Sequence, residues 1–454
     1  MSFISINPVT GERLAEFEEW SDRQLENALS EAAAAAAQWA ARPIAERCRL
    51  MRRVGETMRE RRDQLARVVT QEMGKLYAEA LAEVDKCALV CDYYADHGPA
   101  FVADEAVDSD AGRSLVAYQP LGTVLAVMPW NFPLWQVMRF AAPALVAGNT
   151  GLLKHASNVP QCALLLDEVF RDAGAPAGVF RALMISARRV AGVIEDDRIH
   201  AVTLTGSEPA GRQVASCAAA ALKKSVLELG GSDPFVVLAD AELDEAVATA
   251  VKSRYSNAGQ SCIAAKRFIV VDDVADAFVA KFKTAVAALT PGDPMAEGTT
   301  LAPMARVDLR DELHGQVETS VAQGAVAVVG CTPLEGPGAF YSASILDRVV
   351  PGVLAYEEEL FGPVAIVIRA RDEDHALHIA NDSRFGLGGS VWTADANRGE
   401  ALARRIDSGV VFVNGLVKSD PRLPFGGVKH SGYGRELSRH GIREFVNAKT
   451  IWVR

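Results

Sequence analysis

Apolar residues in this chain follow two different patterns. Over residues 22–100 they recur at helical spacing. Leu25, Ala28, Leu29 and Ala32 share a face behind Ser21, whose hydroxyl can cap the first turn, and Pro43 can open the next helix. Beyond residue 110 the apolar positions gather into short uninterrupted runs instead. SLVAY (114–118) and TVLAVM (123–128) flank QPLG, a turn signal, and are expected to form a hairpin.

From there a rhythm sets in. Apolar runs near 150–154, 180–184, 201–205 and 225–229 alternate with helical stretches near 133–147, 158–173, 187–196 and 209–222. Strands apolar throughout, alternating with helices, predict a parallel sheet covered on both faces, with right-handed crossovers. A second set follows: PFVVLA (234–239), RFIVVD (267–272), AVAVVG (325–330), VAIVIR (364–369), GSVWT (389–393) and VVFVNG (410–415). ELGGSDP (228–234) separates the sets, because Gly230, Gly231 and Pro234 interrupt either kind of element. The fold class expected is α/β, with two open, doubly wound parallel-sheet domains and a cleft between them. The run NAKTIWVR (447–454) reads as a strand, added to its own domain or offered to a second subunit.

Composition narrows the partners. A chain of 454 residues is too long for one core. A formal charge of −11 leaves no basic footprint for nucleic acid or an anionic membrane, so an anionic substrate would need a local cationic feature. Seven scattered cysteines with no CxxC pair argue against a disulfide frame and a zinc site, and they fit a reducing compartment. MSFISINPVTGERL lacks a basic stretch leading into an apolar one, and EAAAAAAQ (31–38) is too short to span a bilayer; a cytoplasmic protein is expected.

Several motifs can carry chemistry. VTLTGSEPAG (202–211) is a strand, a turn and a helix start, where backbone N–H groups and the positive helix end favour phosphate; taken alone it is equally a plain connection. It is neither a Walker loop nor GxGxxG. Lys154 ends a strand at a carboxyl edge, where it can meet a ribose or phosphate, or simply solvent. In PWNFP (129–133), Asn131 sits in a turn stiffened by two prolines, either as a donor to an oxyanion or as a partner of its own turn. Glu228 ends a strand where the domains meet, as a general base or a polar terminus. Cys262, in NAGQSCIA (257–264), has no neighbouring histidine or second cysteine, which suits a thiolate nucleophile whose electrons pass to a cofactor.

PWNFP, TLTGS, LELGG, NAGQSC, EEELFGPV and PFGGVKHSGYGRE occur in the order and at spacings compatible with the aldehyde dehydrogenases, and the chain resembles that family over nearly its whole length. The resemblance implies that Cys262 is the nucleophile, Asn131 and the Cys262 N–H the oxyanion donors, and Glu228 the base that hydrolyses a thioester. It implies NAD or NADP as cofactor and no metal. Glu359 would bind the nicotinamide ribose with Phe361 nearby, Lys154 the adenosine ribose, and Gly206 and Ser207 the pyrophosphate with Trp130 close by. Glu436 is carried over as a candidate proton relay. Ser157 stands where many NAD-selective members have Glu; beside Lys154 and His155 it should tolerate NADP. FRALMISARRVAG (180–192) lacks the Pro-Gly turn usual before its helix. The division expected is a cofactor domain (1–101, 121–230 and 431–445), a catalytic domain (231–430) and oligomerisation strands (102–120 and 446–454) of a homodimer or homotetramer.

Arg139 lies eight residues after Asn131, a little over two helical turns, on the same side as that turn. LLKHASNV and NFPLWQVMRF resemble a bacterial branch of succinate-semialdehyde dehydrogenases, in which an arginine at this position binds the distal carboxylate. Ser419, Arg422 and Phe425, from VKSDPRLPFGG, are expected to help close the substrate tunnel. The alternatives are glutarate or malonate semialdehyde, an uncharged aliphatic aldehyde, a non-redox cysteine hydrolase or acyltransferase, and a catalytically silent nucleotide-binding scaffold. The hydrolase would want a histidine base. The scaffold would have no need of Cys262, Glu228 and Asn131 together.

Overall fold

The computed structural model describes residues 2–454. The chain opens with an antiparallel pair, β1 (Ser2–Ile6) and β2 (Arg13–Glu18), then four helices: α1 (Asp22–Ala41), α2 (Ile44–Glu60), α3 (Arg62–Met73) and α4 (Tyr77–Phe101). Ser21 and Gln24 cap α1 reciprocally, each side chain accepting from the other's backbone N–H.

Next come β3 (Glu105–Val107), β4 (Arg113–Pro120), β5 (Thr123–Met128), α5 (Trp135–Ala147), β6 (Thr150–His155), α6 (Pro160–Asp172) and β7 (Phe180–Ala182). They are followed by α7 (Val190–Glu195), β8 (Ile199–Thr205), α8 (Glu208–Ala220) and β9 (Lys224–Glu228). The rhythm restarts with β10 (Asp233–Val237), α9 (Leu243–Tyr255), β11 (Ala265–Val271), α10 (Asp272–Ala287), α11 (Val307–Ala322), β12 (Val326–Val329) and β13 (Ser344–Asp347). It runs on through α12 (Leu354–Glu357), β14 (Val364–Ala370), α13 (Glu373–Asn381), β15 (Gly388–Trp392), α14 (Ala396–Ala403) and β16 (Val410–Val413). The last elements are β17 (Gly432–Tyr433), α15 (Ser438–Arg443) and β18 (Val446–Val453).

Two mostly parallel sheets result, so the fold is α/β as expected. One has the order β17-β9-β8-β5-β6-β7 and is antiparallel only at β17; the other has the order β12-β13-β14-β11-β10-β15-β16 and is antiparallel only at β12. Their central strands are buried along their whole length, as double-sided helix cover requires. A third, antiparallel sheet joins β18, β4 and β3.

Two expectations need correction. The runs at 114–118 and 123–128 do not pair: β4 joins β18 and β3, whereas β5 lies between β6 and β8. TVLAVM is buried on both faces and needs a strand on each edge, while β4 is mostly half-exposed. The helix expected at 187–196 begins as a single 3-10 turn, with α7 proper starting at Val190; Arg189 ties that turn to Trp20 O and Asp22. The β1–β2 pair and β13 were not anticipated. No helix among the described residues is long and apolar enough to cross a membrane.

The six-stranded sheet turns its carboxyl ends, at Met128, His155, Thr205 and Glu228, toward the segment that follows α9. The segment after β16 returns across this junction and pairs again with β9 through β17.

Candidate active site

The segment after α9 is wound in an unusual sense. Asn257 and Ala258 take φ of 54° and 51°, and Gly259 continues at 71°. A side chain at Gly259 is excluded, since its Cβ would stand 2.3 Å from Gly362 O. Three left-handed residues in a row are costly and persist only where the surroundings over-determine them. Here they do. Glu79 accepts the Asn257 N–H, and Asn257 Nδ2 donates to Asn131 O at 2.8 Å. The fully buried Arg254 guanidinium donates to Leu360 O at 2.9 Å and Gly259 O at 3.3 Å. Lys266 Nζ donates to the carbonyls of Ser261 and Cys262, both at 2.9 Å.

This framework presents Cys262, half-buried, at the meeting of two hollows. A cavity of about 230 Å³ lies on one side, lined by Lys86, Trp135, Arg139, Ser419 and Phe425. A cleft of about 800 Å³ lies on the other, lined by Trp130, Asn131, Gly206, Ser207, Glu359 and Phe361. Cys262 borders both. Burial pushes its thiol up to about 11, with Arg139 and Lys266 pulling the other way.

Asn131 is buried and gripped at both ends of its amide. Its Nδ2 donates to Gln260 O at 3.0 Å, and its Oδ1 accepts from Gln136 Nε2 at 3.1 Å. One Nδ2 hydrogen is thereby used and a second remains for a ligand. The preceding turn is pinned by His155, whose Nε2 meets Pro133 O at 2.8 Å while Nδ1 accepts the Ala156 N–H. Burial depresses His155 to about 4, so it is neutral and committed and brings no charge to the cofactor side. Lys154 is buried at the end of β6, with its pKa lowered by that burial, and Ser157 is exposed just beyond.

Glu228 borders neither hollow. It is 2% exposed, and neither carboxyl oxygen has a hydrogen-bond partner. Burial first, then the charge of Glu436, hold it well above the usual carboxylate range, against the pull of Arg139 and Arg435. Glu436, also buried, pairs with Arg139 Nε. The carboxyl of Glu436 is raised by burial, with Arg139 opposing. α5 is buried on every face, so Arg139 is no solvated helix-face residue: it is 2% exposed and lies 4.7 Å over the Phe425 ring.

Ser419 lines the cavity, where its Oγ receives Lys86 Nζ at 2.7 Å and Trp135 Nε1 at 3.1 Å. Arg422, expected at the substrate, is placed elsewhere. Its side chain is 75% exposed and paired through Nε and Nη2 with Asp420, two residues away. Proximity in sequence gave the arginine a cheaper partner.

The cleft suits a dinucleotide. Ser207 caps α8 in position but not by a side-chain bond, which leaves the first-turn donors of that helix open. Trp130 and Phe361 meet edge to face at 5.8 Å and wall one side. Gly230 leaves space that a Cβ would fill to within 2.4 Å of Glu359 Oε2. Glu359 itself accepts the Gly231 N–H at 3.2 Å and pairs with Lys266 at 3.1 Å. Among the described residues no group of three His, Cys, Asp or Glu could hold a metal.

Gln136, Lys266 and Lys86 belong to this site and are not singled out in the sequence. Gln136 follows Asn131 by five residues and Lys266 follows Cys262 by four, so a search for polar residues near each motif would have found both. Lys86 carries no such signal, because Ser419 and Trp135 are far from it in sequence.

A model described as the aldehyde dehydrogenase family matches residues 1–451. A probable succinate-semialdehyde dehydrogenase [NADP(+)] of Synechocystis sp. is 50% identical over 453 residues, covering 100% of each chain. The succinate semialdehyde dehydrogenase [NAD(P)+] Sad of Escherichia coli (strain K12) is 50% identical over 449 residues, covering 99% of this chain and 97% of its own. Among solved structures, the succinic semialdehyde dehydrogenase of Streptococcus pyogenes in complex with NADP+ superposes with a TM-score of 0.98 at 39% identity, covering 99% of both chains.

Proposed function

The chain belongs to the aldehyde dehydrogenase family, and from that premise we propose that it oxidises succinate semialdehyde to succinate with NADP or NAD. The observation that carries the substrate is Arg139, a buried guanidinium bordering the same small cavity as Cys262. An aldehyde bearing a distal carboxylate gives the guanidinium, held at Nε by Glu436, a second anionic partner, and an uncharged aldehyde does not.

The Cys262 thiol gives its proton to solvent, with Arg139 and Lys266 favouring the thiolate. Sγ then adds to the aldehyde carbon, forming a C–S bond as the carbonyl π pair moves to oxygen as an oxyanion. The free Nδ2 hydrogen of Asn131 and the Cys262 N–H receive that oxygen, and each such donor lowers the barrier by about 2.7–4 kcal/mol. Hydride acceptance from the adduct carbon is the chemistry the nicotinamide supplies when bound. Glu228 then takes a proton from the water that attacks the resulting thioester, the C–S bond breaks, and the acid leaves. For this Glu228 must give up the proton its burial favours. Glu436, close enough to raise it, is the acid that can take that proton over, while the charges of Arg139 and Arg435 favour the ionised Glu228 left behind.

On the cofactor side, the open first turn of α8 with Gly206 and Ser207 would take the pyrophosphate, and Glu359 with Phe361 and Trp130 the nicotinamide riboside. Lys154 and Ser157 would take the adenosine ribose and its 2′-phosphate. An exposed serine leaves that phosphate unopposed, and the names of the relatives include both NADP(+) and NAD(P)+. The sheet of β18, β4 and β3 shows Val107, Trp452 and Val453 on its surface, and it would join subunits of a homodimer or homotetramer. All seven cysteines are free, which suits a reducing cytoplasm.

The test is initial rates on succinate semialdehyde and butanal, each with NAD and NADP. The acidic aldehyde should show the larger kcat/KM. Arg139→Ala should raise KM for it by about thirtyfold or more relative to butanal. Equal rates on both aldehydes would return Arg139 to a purely structural pairing with Glu436.

A further inference from the structure

The substrate-side cavity holds a second cation that the reading above does not use. Lys86, on α4, borders the cavity together with Arg139 and Cys262. Its ammonium lies 4.2 Å from the centre of the Trp135 ring and donates to Ser419 Oγ at 2.7 Å. Among the described residues no carboxylate stands within ion-pairing distance of it.

The nearby acids are all committed, Glu79 on the same cavity wall to the Asn257 N–H. Glu83, one turn earlier on α4, pairs with Lys75 through one oxygen. Its other oxygen accepts the N–H groups of Leu134 (2.9 Å) and Trp135 (3.0 Å) at the start of α5. Asp420 is taken by Arg422. Glu436 is taken by Arg139. Burial and the neighbouring Arg139 depress Lys86 to about 8, so the ammonium is held without a counter-ion at an energetic cost.

A half-buried cation without a counter-ion, bordering a cavity walled by aromatic rings, calls for an anion from outside. We propose that Lys86 is a second carboxylate-binding cation, receiving the distal carboxylate of the substrate across the cavity from Arg139 while Ser419 holds its ammonium in place. This assignment rests on the acidic-semialdehyde reading. It divides the work between a guanidinium tied to Glu436 and an ammonium that only the substrate neutralises. Lys86 thereby becomes the group whose charge state the substrate senses most directly.

The experiment compares kcat and KM for succinate semialdehyde and butanal in the wild type, Lys86→Met, Lys86→Arg and Arg139→Met, with thermal unfolding as a check on folding. Lys86→Met should lower kcat/KM for succinate semialdehyde at least about tenfold more than for butanal, chiefly through KM, the size of a lost charged hydrogen bond. Lys86→Arg should recover a large part of that selectivity. If Lys86→Met keeps the wild-type ratio of the two aldehydes while Arg139→Met collapses it, Lys86 is a structural residue and the proposal falls alone. If the wild type itself does not prefer the acidic aldehyde, the substrate reading falls and Lys86 with it. Should Lys86→Met not accumulate as folded protein, Lys86→Gln carries the same comparison.

Discussion

The two hollows that meet at Cys262 are built on opposite plans. The smaller is an aromatic box with two cations, the half-buried Lys86 and the buried Arg139, set by long-range side-chain contacts. The larger is bordered by acids, among them Glu208, Glu358 and Glu359, and offers the free end of a helix with glycines in its lining. A small substrate carrying one charge must be recognised by fixed charge of the opposite sign. A large dinucleotide can be recognised by backbone donors, flat walls and empty space. Selectivity for substrate is therefore concentrated in a few removable side chains, while cofactor binding is distributed over the fold.

That contrast can be broken at its shared point. Asn131→Ala removes a donor beside the reacting carbon, so kcat should drop by about 10²–10³ for acidic and neutral aldehydes alike, with either cofactor. A loss confined to one aldehyde would move Asn131 out of the oxyanion site and into one hollow. Ser157→Glu touches only the cofactor side. It should weaken NADP use by about tenfold or more through repulsion of the 2′-phosphate, leaving the aldehyde ratio as it was. NADP kinetics unaffected by that change would place the adenosine ribose elsewhere.

The smallest effect tests the substrate side without any mutation. Lys86 faces Glu83 and Cys87 on its own helix, Arg139 on α5 and Asp420 in the segment after β16. Its folded pKa is depressed to about 8, so the carboxylate-binding ammonium is present below that pH and is lost above it. Rising thiolate content of Cys262, whose thiol sits at about 11, accelerates both aldehydes equally and cancels in their ratio. Between pH 7 and pH 9 the kcat/KM ratio of succinate semialdehyde to butanal should therefore fall about threefold to tenfold. A flat ratio would remove Lys86 from recognition.

The same contrast explains what could be read in the sequence. The two sheets were legible because their strands are buried on both faces and so are apolar without interruption, as in VAIVIR and RFIVV. β1, with alternate residues exposed in a chain start of mixed polarity, and β13, four residues long, gave too little pattern. Cys262, Asn131 and Glu228 stood out because each sits in a turn or strand end whose neighbours are constrained. Lys86 did not. On a helix it is one lysine among many, and its meaning comes from Ser419, 333 residues away. Arg422 shows the converse, since a suggestive loop position was claimed locally by Asp420.

The late return of the chain has a consequence for synthesis. β17 closes the edge of the sheet at Glu228, Glu436 reaches Arg139, and Phe425 and Ser419 wall the cavity. All of these come from beyond residue 418, while their partners lie between residues 86 and 228. A ribosome adding about 5–20 residues per second exposes those partners many seconds before the pieces that complete them. Until residues 419–436 emerge, the nascent protein holds a thiol, two unshielded cations and an open sheet edge, and no enzyme. Premature termination in that interval yields a product that has both sheets nearly assembled and its substrate cavity unwalled.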